Sequence, residues 1–487
     1  MAKYQAKYQH GIISTEKATV MEKPIEVESA IAVVFGTTPI NMAKDPYSVT
    51  NVPIVLENYE DAVNKLGFSY NFKDYTICQS VFARFVKSLR GPIVVVNVLD
   101  PKVHVKDVIA KTFSVINKKV EISDQGILLD TMEVKSAVGT TTYEANEDYI
   151  TSFADDGTVI IAITNDGKIT ATEVKVEYKQ LAPEMVTKED VIGGYNEETR
   201  RRTGIDCISL VYPMTKLIPC QLLAPGWSQN PVVAAVLSAK AKLINSLFNA
   251  VAITDIDSVT VTKIDDLLEY KEKNGYEDDF NIACYPKVIV DGYEIYLSAI
   301  LDCAIANTDQ AYDGPYASPS NKEIDIDGTC LEGGESIFYD LDEANEINAV
   351  GIVTAINMNG WRTWGNEMSC YPNNQDIKDR FIVSRRVFNY RDNEFKTQFF
   401  EKVDDPTNFR LIESIVNKEN AILATLASAG KIAGGSISYN RDDNPTDQIL
   451  DGHIKFSRKL SPFAPAKLIE TETEFDPTLN LSALGGE

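Results

Sequence analysis

The chain has 487 residues, which is enough for two to four domains of ordinary size. Its formal net charge of −24 argues against nucleic acid or an anionic membrane surface as a partner, because their phosphates would repel the protein. A high charge of one sign suits a protein that must stay soluble at high concentration before it assembles.

The chain begins with a polar segment, residues 1–27, which carries one short strand signal at 8–13. No neighbouring run offers that strand a hairpin partner. We therefore predict that this segment is an N-terminal arm and not part of a core.

Residues 28–100 are predicted to form the first part of an α/β domain. Continuous apolar runs at 30–36 and 93–99 indicate buried strands. Between them, Asn58 is a candidate N-cap for one helix, and a second helix is predicted at about 76–89. Strands buried on both faces with helices between them are typical of an α/β layer.

The pattern changes to strands and turns in residues 101–190, which we predict to be a small all-β domain inserted into the α/β chain. Alternating residues at 170–178 indicate a half-buried strand. The Asn-Asp-Gly triplet at 165–167 predicts a hairpin that joins this strand to another at 158–164.

Residues 191–335 return to the α/β pattern and are predicted to form the second part of that domain. Apolar runs at 205–211 and 282–290 indicate strands. Helices are predicted at 231–248 and 294–307, where apolar residues recur with helical spacing.

Residues 336–462 are predicted to form a separate C-terminal core domain. A buried strand at 349–356 leads into the stretch 357–366, which holds two of the three tryptophans, each beside a glycine. This arrangement is typical of a well-packed hairpin corner. The main helix of the domain is predicted at 405–428, with an Asp-Pro pair as its cap and first-turn proline.

Residues 463–487 are predicted to form a C-terminal arm, because Pro462 and Pro465 favour an extended chain over a helix. Residues 466–475 mix apolar and acidic side chains, as edge strands do. The predicted fold class is therefore α/β (mixed α+β) and multidomain. It consists of an α/β core with an inserted small all-β domain and extended N- and C-terminal arms.

No pattern predicts a catalytic residue, a cofactor or a metal site. The seven cysteines form no Cys-x-x-Cys pair, the three histidines lie far apart, and no apolar run predicts a membrane span. Residues 323–328 imitate the start of a calcium loop, but Gly334 stands where a bidentate glutamate is required. Asp255 and Asp257 at a strand end could hold magnesium, and the alternative is a polar strand terminus.

Four segments, in order, resemble segments of the contractile tail sheath proteins of phages and R-type bacteriocins. They are the Tyr-Gln-His-Gly-Ile-Ile stretch at 8–13, the Ala-Ser-Pro-Ser-Asn-Lys loop at 317–322, the Gly-Trp to Trp-Gly-Asn signature at 360–366, and the stretch 453–475. Together they span nearly the whole chain apart from the insert. The family often has arginine after the signature asparagine, where this chain has Glu367.

The resemblance implies a structural protein that is not an enzyme and uses no cofactor. Sheath subunits polymerise as stacked hexameric rings around an inner tail tube and contract to drive that tube through a target cell envelope. The implied partners are further copies of the chain, the inner tail tube protein, and baseplate and collar or terminator proteins, without nucleic acid or membrane binding. The implied location is the tail of a phage or phage-tail-like particle that is made and assembled in the bacterial cytoplasm.

The resemblance also implies three sets of assembly residues. The inter-subunit arms would act through Tyr8, His10, Ile12, Ile13, Leu468, Ile469 and Phe475. The C-terminal domain would face the tube through its main helix, with the candidate contacts Arg410, Lys418 and Lys431. The sheath signature consists of Gly360, Trp361, Trp364, Gly365 and Asn366. For the main helix, the alternative is an ordinary amphipathic core helix with solvated charges.

Two other functions stay open at this stage. The first is a metal-dependent enzyme on an α/β scaffold with the acidic pairs as ligands, although no histidines converge with them. The second is an adaptor or terminator protein of the same particle. Arms at both ends of the chain favour the sheath subunit over that role.

Overall fold

The computed structural model describes residues 25–26, 28–154 and 157–483. Within these residues the strands are β1 (Ile25–Glu26), β2 (Ala32–Gly36), β3 (Ile54–Leu56), β4 (Arg90–Gly91), β5 (Ile93–Asn97), β6 (Val105–Ser114), β7 (Lys119–Ile122), β8 (Glu133–Ser136), β9 (Tyr149–Phe153), β10 (Val159–Ile163), β11 (Glu173–Leu181), β12 (Gly194–Asn196), β13 (Arg201–Thr203), β14 (Gln221–Leu223), β15 (Val251–Asp255), β16 (Asn281–Cys284), β17 (Lys287–Val290), β18 (Tyr293–Ile295), β19 (Gly328–Cys330), β20 (Ser336–Ile337), β21 (Ile352–Asn357), β22 (Trp361–Trp364), β23 (Gly434–Tyr439) and β24 (Phe456–Ser461).

The α-helices of the described residues are α1 (Tyr59–Leu66), α2 (Ile77–Val81), α3 (Lys188–Ile192), α4 (Ile208–Thr215), α5 (Pro231–Lys242), α6 (Leu267–Lys273), α7 (Leu297–Tyr312), α8 (Leu341–Ala349), α9 (Ile377–Arg380), α10 (Ile382–Phe399), α11 (Phe409–Ser428), α12 (Thr446–Leu450) and α13 (Pro477–Ala483). A π-helical turn at Phe82–Lys87 continues α2. No helix in this part of the chain is both long and apolar enough to cross a membrane.

The core of the molecule is an eight-stranded sheet with the order β22-β21-β16-β15-β14-β2-β5-β3. The strands from β21 to β5 run parallel, and the two edge strands are antiparallel to their neighbours. Helices α5 and α7 pack on its central strands, which are buried on both faces as predicted. The predicted α/β (mixed α+β) class is confirmed.

This sheet crosses the predicted boundary between residues 335 and 336. Strands β21 and β22, which we assigned to a separate C-terminal domain, are hydrogen-bonded to β16 and to each other. The boundary therefore divides a single sheet. The part of the C-terminal region outside this sheet consists mainly of α10, α11 and the two-stranded sheet β23-β24.

Residues 105–181 form two three-stranded sheets, β7-β10-β9 and β6-β11-β8, around a hydrophobic cluster of their own. The predicted hairpin at 165–167 is wrong, because β10 pairs with β7 and β9 while β11 pairs with β6 and β8. The triplet is a turn between the two sheets. The first and last strands of the segment pair with each other, with Val105 opposite Leu181.

Three further predictions of local structure need correction. The run at 205–211 is a 3-10 turn followed by α4 and not a strand, since a short apolar run does not distinguish a buried strand from a buried helix. The run at 282–290 is divided between β16 and β17, which lie in different sheets. The main C-terminal helix starts at Phe409 and not at 405, because the Asn408 side chain accepts from the Leu411 amide and caps it there.

Candidate assembly interface

The sheath signature forms the hairpin β21-β22 at one edge of the core sheet. Trp361 stands opposite Asn357 in the register, and its ring stacks on Phe338 with the centroids 6.2 Å apart. The indole N–H of Trp364 donates to the Asn345 side-chain oxygen at 3.0 Å. The predicted hairpin corner is therefore confirmed, and both tryptophans have partners within the subunit.

The glycines and the asparagine of the signature have backbone and packing roles. Gly360 lies in the turn with a φ of +110°, in the region that favours glycine. A Cβ on Gly365 would lie 2.8 Å from the Asn348 side-chain oxygen and 3.0 Å from the Val353 Cα, so no larger residue fits without a shift. The Asn366 side-chain oxygen accepts from the Ser318 hydroxyl.

The loop motif at 317–322 lies directly against this hairpin. The Asn321 amide donates to the Thr363 carbonyl at 2.7 Å, and the Gly365 amide donates to the Ser320 hydroxyl at 3.0 Å. Two of the four sequence motifs therefore form one hydrogen-bonded unit at the sheet edge, although more than 40 residues separate Ser320 from Gly365.

A cleft of about 860 Å³ separates this unit from the start of the C-terminal arm. Glu367 lines it, and its carboxylate is buried, with a side-chain exposure of 2%. Arg380 donates to it through two nitrogens, at 2.9 Å and 3.1 Å, and the Lys467 ammonium lies 2.8 Å away. At the position where the family often has arginine, this chain thus has a glutamate that pairs with two basic side chains.

Beyond this point, residues 468–480 of the predicted C-terminal arm are exposed. Its three candidate residues, Leu468, Ile469 and Phe475, have exposures of 83%, 86% and 74%. Within the described residues, the backbone of 462–475 forms no hydrogen bond, and α13 follows it. The candidates in the N-terminal arm lie outside the described residues; they are Tyr8, His10, Ile12 and Ile13.

The three tube-facing candidates lie on or just after α11, but they differ in their surroundings. Arg410 and Lys418 are exposed, and the Lys418 ammonium lies 5.6 Å from the centre of the Phe399 ring. Lys431 forms an ion pair with Asp313 and also donates to its carbonyl at 3.0 Å. The structure thus leaves Arg410 and Lys418 more available to a partner than Lys431.

The buried side of α11 contacts α10, a helix that our sequence analysis did not predict. Arg391 of α10 forms a buried ion pair with Glu419 of α11 at 3.1 Å, and Arg386 pairs with Asp309 of α7. Asn389 donates to the Ala250 carbonyl at 3.0 Å. Helix α10 therefore joins the core sheet to α11 through a buried polar contact.

That helix was missed because polar and charged residues make up most of its buried face, beside the apolar Ile382, Val383 and Val387, whereas amphipathic helix patterns rest on apolar spacing. A signal is nevertheless present. Arg386, Asn389 and Asn393 are three and four residues apart, which places them on one face of a helix.

The acidic pair of the enzyme hypothesis does not converge on a common point. The Asp255 carboxylate accepts from the Ser298 amide at 2.9 Å and from the Ser298 and Ser228 hydroxyls, and its burial raises its pKa to about 6. Asp257 instead accepts from the amide of Val259. Among the described residues, no three histidine, cysteine, aspartate or glutamate side chains are grouped so as to hold a metal ion.

Comparison with known proteins extends the resemblance to the whole chain. No protein-family model matches it. The tail sheath protein of Burkholderia phage BcepMu, however, is 26% identical over 502 residues, which cover 99% of this chain and 99% of that protein. The chain is thus similar over its whole length to a contractile tail sheath protein.

Solved structures of phage-tail-like particles contain chains with the fold of this chain. A chain of the anti-feeding prophage baseplate superimposes with a TM-score of 0.59 at 13% identity, over 97% of this chain and 100% of that one. A chain of the contracted sheath complex of the PVC extracellular contractile injection system gives a TM-score of 0.55 at 15% identity, over 98% and 100%.

Proposed function

We propose that this chain is the structural subunit of a contractile tail sheath. It polymerises as stacked hexameric rings around an inner tail tube and contracts to drive the tube through a target cell envelope. This role involves no catalysis. The relationship over the whole chain to the BcepMu tail sheath protein and the fold shared with contractile sheath structures support the proposal.

The observation that carries the proposal is the exposed C-terminal arm. Residues 462–475 form no backbone hydrogen bond with the described part of the chain, and unpaired extended backbone favours pairing with another chain. In an extended conformation Ile469 and Phe475 lie on one face, whereas the glutamates at 470, 472 and 474 lie on the other face, which Leu468 begins. Such a segment can pack one face against a neighbouring subunit and leave its glutamates in solvent.

A matching acceptor lies in the same chain. Strands β23 and β24 form a two-stranded sheet, and the outer edge of β24 pairs with no other strand of the described chain. An arm from a neighbouring subunit would extend this sheet. Five or six ladder hydrogen bonds at about 1 kcal/mol each are weak singly but strong when they recur around every ring.

The other partners follow from the same role. We propose that α11 faces the inner tube through Arg410 and Lys418, that the ends of the polymer contact baseplate and collar or terminator proteins, and that assembly takes place in the bacterial cytoplasm. The net charge of −24 supports partners other than nucleic acid and membrane surfaces.

Truncation of the arms tests the proposal. Without residues 1–20, or without 468–487, the chain should remain a soluble folded monomer that no longer forms sheath tubes in electron micrographs. Unchanged tubes from both truncated chains would refute the arm mechanism.

A matched pair of variants refines this test. Leu468, Ile469 and Phe475 are exposed in the subunit, so replacing all three with serine should leave monomer stability unchanged and abolish tubes. The control is Leu479→Ser, which changes a residue of 69% exposure beyond the predicted strand. Tubes from the triple variant, or loss of tubes in the control alone, would contradict the assigned strand.

A further inference from the structure

The C-terminal arm touches the rest of its own subunit through one polar side chain. Within residues 462–475, Lys467 alone makes an ion pair or hydrogen bond in the described structure. Its ammonium lies 2.8 Å from Glu367 and 5.3 Å from the centre of the Tyr371 ring. Residues 468–480, which follow it, are exposed.

The other half of this contact is held firmly in place. Glu367 directly follows the signature hairpin, and its carboxylate is bound by Arg380 through two nitrogens. The Arg380 guanidinium lies over the rings of Tyr371 and Phe381, 4.7 Å and 4.6 Å from their centres. A bidentate contact of this kind fixes the orientation of the carboxylate.

The contacts that Glu367 makes with Arg380 and with Lys467 differ in their exposure to solvent. The Glu367 side chain is 2% exposed and that of Arg380 is 19% exposed, whereas Lys467 is 48% exposed. Loss of the lysine contact therefore leaves Glu367 paired with Arg380, and no buried charge is left without a partner. A half-exposed ion pair of this kind is weak and is screened by salt.

We propose that Glu367 is a positioning residue, which binds Lys467 in a releasable clasp and so fixes the direction in which the C-terminal arm leaves the subunit. The clasp links the signature hairpin to the root of the arm. It holds the arm at one point and leaves the backbone of the following residues free to pair. The clasp itself exists in the monomer; only its benefit for assembly rests on the proposed function.

Tryptic cleavage after Lys467 measures the clasp directly. Trypsin must bind the lysine side chain, so an ammonium held by Glu367 is protected. Lys467 is the last basic residue of the sequence, and cleavage there releases residues 468–487 as one peptide. In the full-length monomer, Glu367→Gln should raise the rate of this cleavage on the order of fivefold, in line with loss of a weak ion pair.

Two controls separate the clasp from general loosening. A glutamate-specific protease that cuts the arm after Glu470, Glu472 or Glu474 should act equally fast on wild type and Glu367→Gln. The matched variant Glu472→Gln removes an arm carboxylate without a contact and should leave tryptic cleavage unchanged. An unchanged tryptic rate in Glu367→Gln, or equal acceleration by both proteases, would overturn the clasp.

Assembly then tests the positioning role. Glu367→Gln and Lys467→Met should form sheath tubes several-fold more slowly than wild type, and the conservative variant Lys467→Arg should assemble at the wild-type rate. Normal assembly of Glu367→Gln, despite faster tryptic cleavage, would overturn the positioning role. Failure of the wild-type chain to form tubes would count against the proposed function and not against the clasp.

Discussion

Replacement of Asp255 by asparagine should stabilise the protein at neutral pH, an outcome opposite to that expected for a metal ligand. Burial raises the pKa of this carboxyl from its usual 3.8 to about 6, although hydrogen bonds from Ser298 and Ser228 and the charge of Lys287 act in the lowering direction. The Asp255 carboxyl therefore keeps its proton up to a higher pH in the folded protein than in the unfolded chain, where it ionises near pH 3.8.

The sign and size of the effect follow from linkage. Because the pKa in the folded state is raised, the contribution of Asp255 to stability is fully present below pH 3.8 and is lost as the pH rises through about 6. A difference of about two pKa units corresponds to about 3 kcal/mol. Asparagine carries no charge and should remove this pH dependence.

The hydrogen bonds at the site allow the substitution. The asparagine oxygen can accept from the Ser298 amide, and its N–H groups can donate to the hydroxyls of Ser298 and Ser228. We expect Asp255→Asn to raise the urea midpoint of the monomer at pH 7.5 and to raise it by roughly half as much at pH 5, because about half of the contribution is already lost at pH 5. Asp257→Asn is the matched control and should shift neither midpoint by a comparable amount.

Three results would refute this reasoning. They are a lower midpoint for Asp255→Asn at pH 7.5, a pH dependence between 5 and 7 that persists in the variant, and a rise of the wild-type midpoint on addition of magnesium that the variant lacks. The last result would favour the metal-enzyme hypothesis.

The remaining predictions concern assembly and the buried polar contact. Replacement of residues 105–181 by a short Gly/Ser linker should leave tube formation intact, because this segment has a hydrophobic cluster of its own and its first and last strands pair with each other; insoluble monomer would contradict that independence. Charge reversal of Arg410 and Lys418 to Glu should impair co-assembly with the tube while the monomer still folds; normal tube-bound sheath would remove that assignment. Arg391→Met should destabilise the monomer by about 3 kcal/mol in urea unfolding, because it removes a partner of the buried Glu419 carboxylate, and pairing it with Glu419→Gln should restore much of the loss.

The sequence alone predicted those features that depend on neighbouring residues. Asn58 was recognised as a cap, and in the structure its side chain accepts from the Asp61 amide at 2.9 Å as α1 begins. The buried strand at 93–99 was predicted from an unbroken apolar run and appears as β5. A helix cap depends on contacts within a few residues, and a fully buried strand is apolar along its whole length. Both features can therefore be recognised in the local sequence.

Partners distant in the sequence were decided by the tertiary structure. Strands β10 and β11 follow one another across a typical hairpin turn, yet they lie in different sheets. Strand pairing depends on which faces must be buried against the rest of the fold, and a local turn signal does not carry that information. The same limit applies to 205–211, where an apolar run suited to a strand became α4.

The candidate site shows the same division. The signature hairpin and the exposed C-terminal arm were predicted from composition and spacing, because tryptophan, glycine and proline act locally. Glu367 was noted only as a departure from the family pattern, since Lys467 lies 100 residues away in the sequence and Arg380 lies on the separate helix α9. A buried charge depends on partners that the fold brings to it, and only the tertiary structure shows which they are.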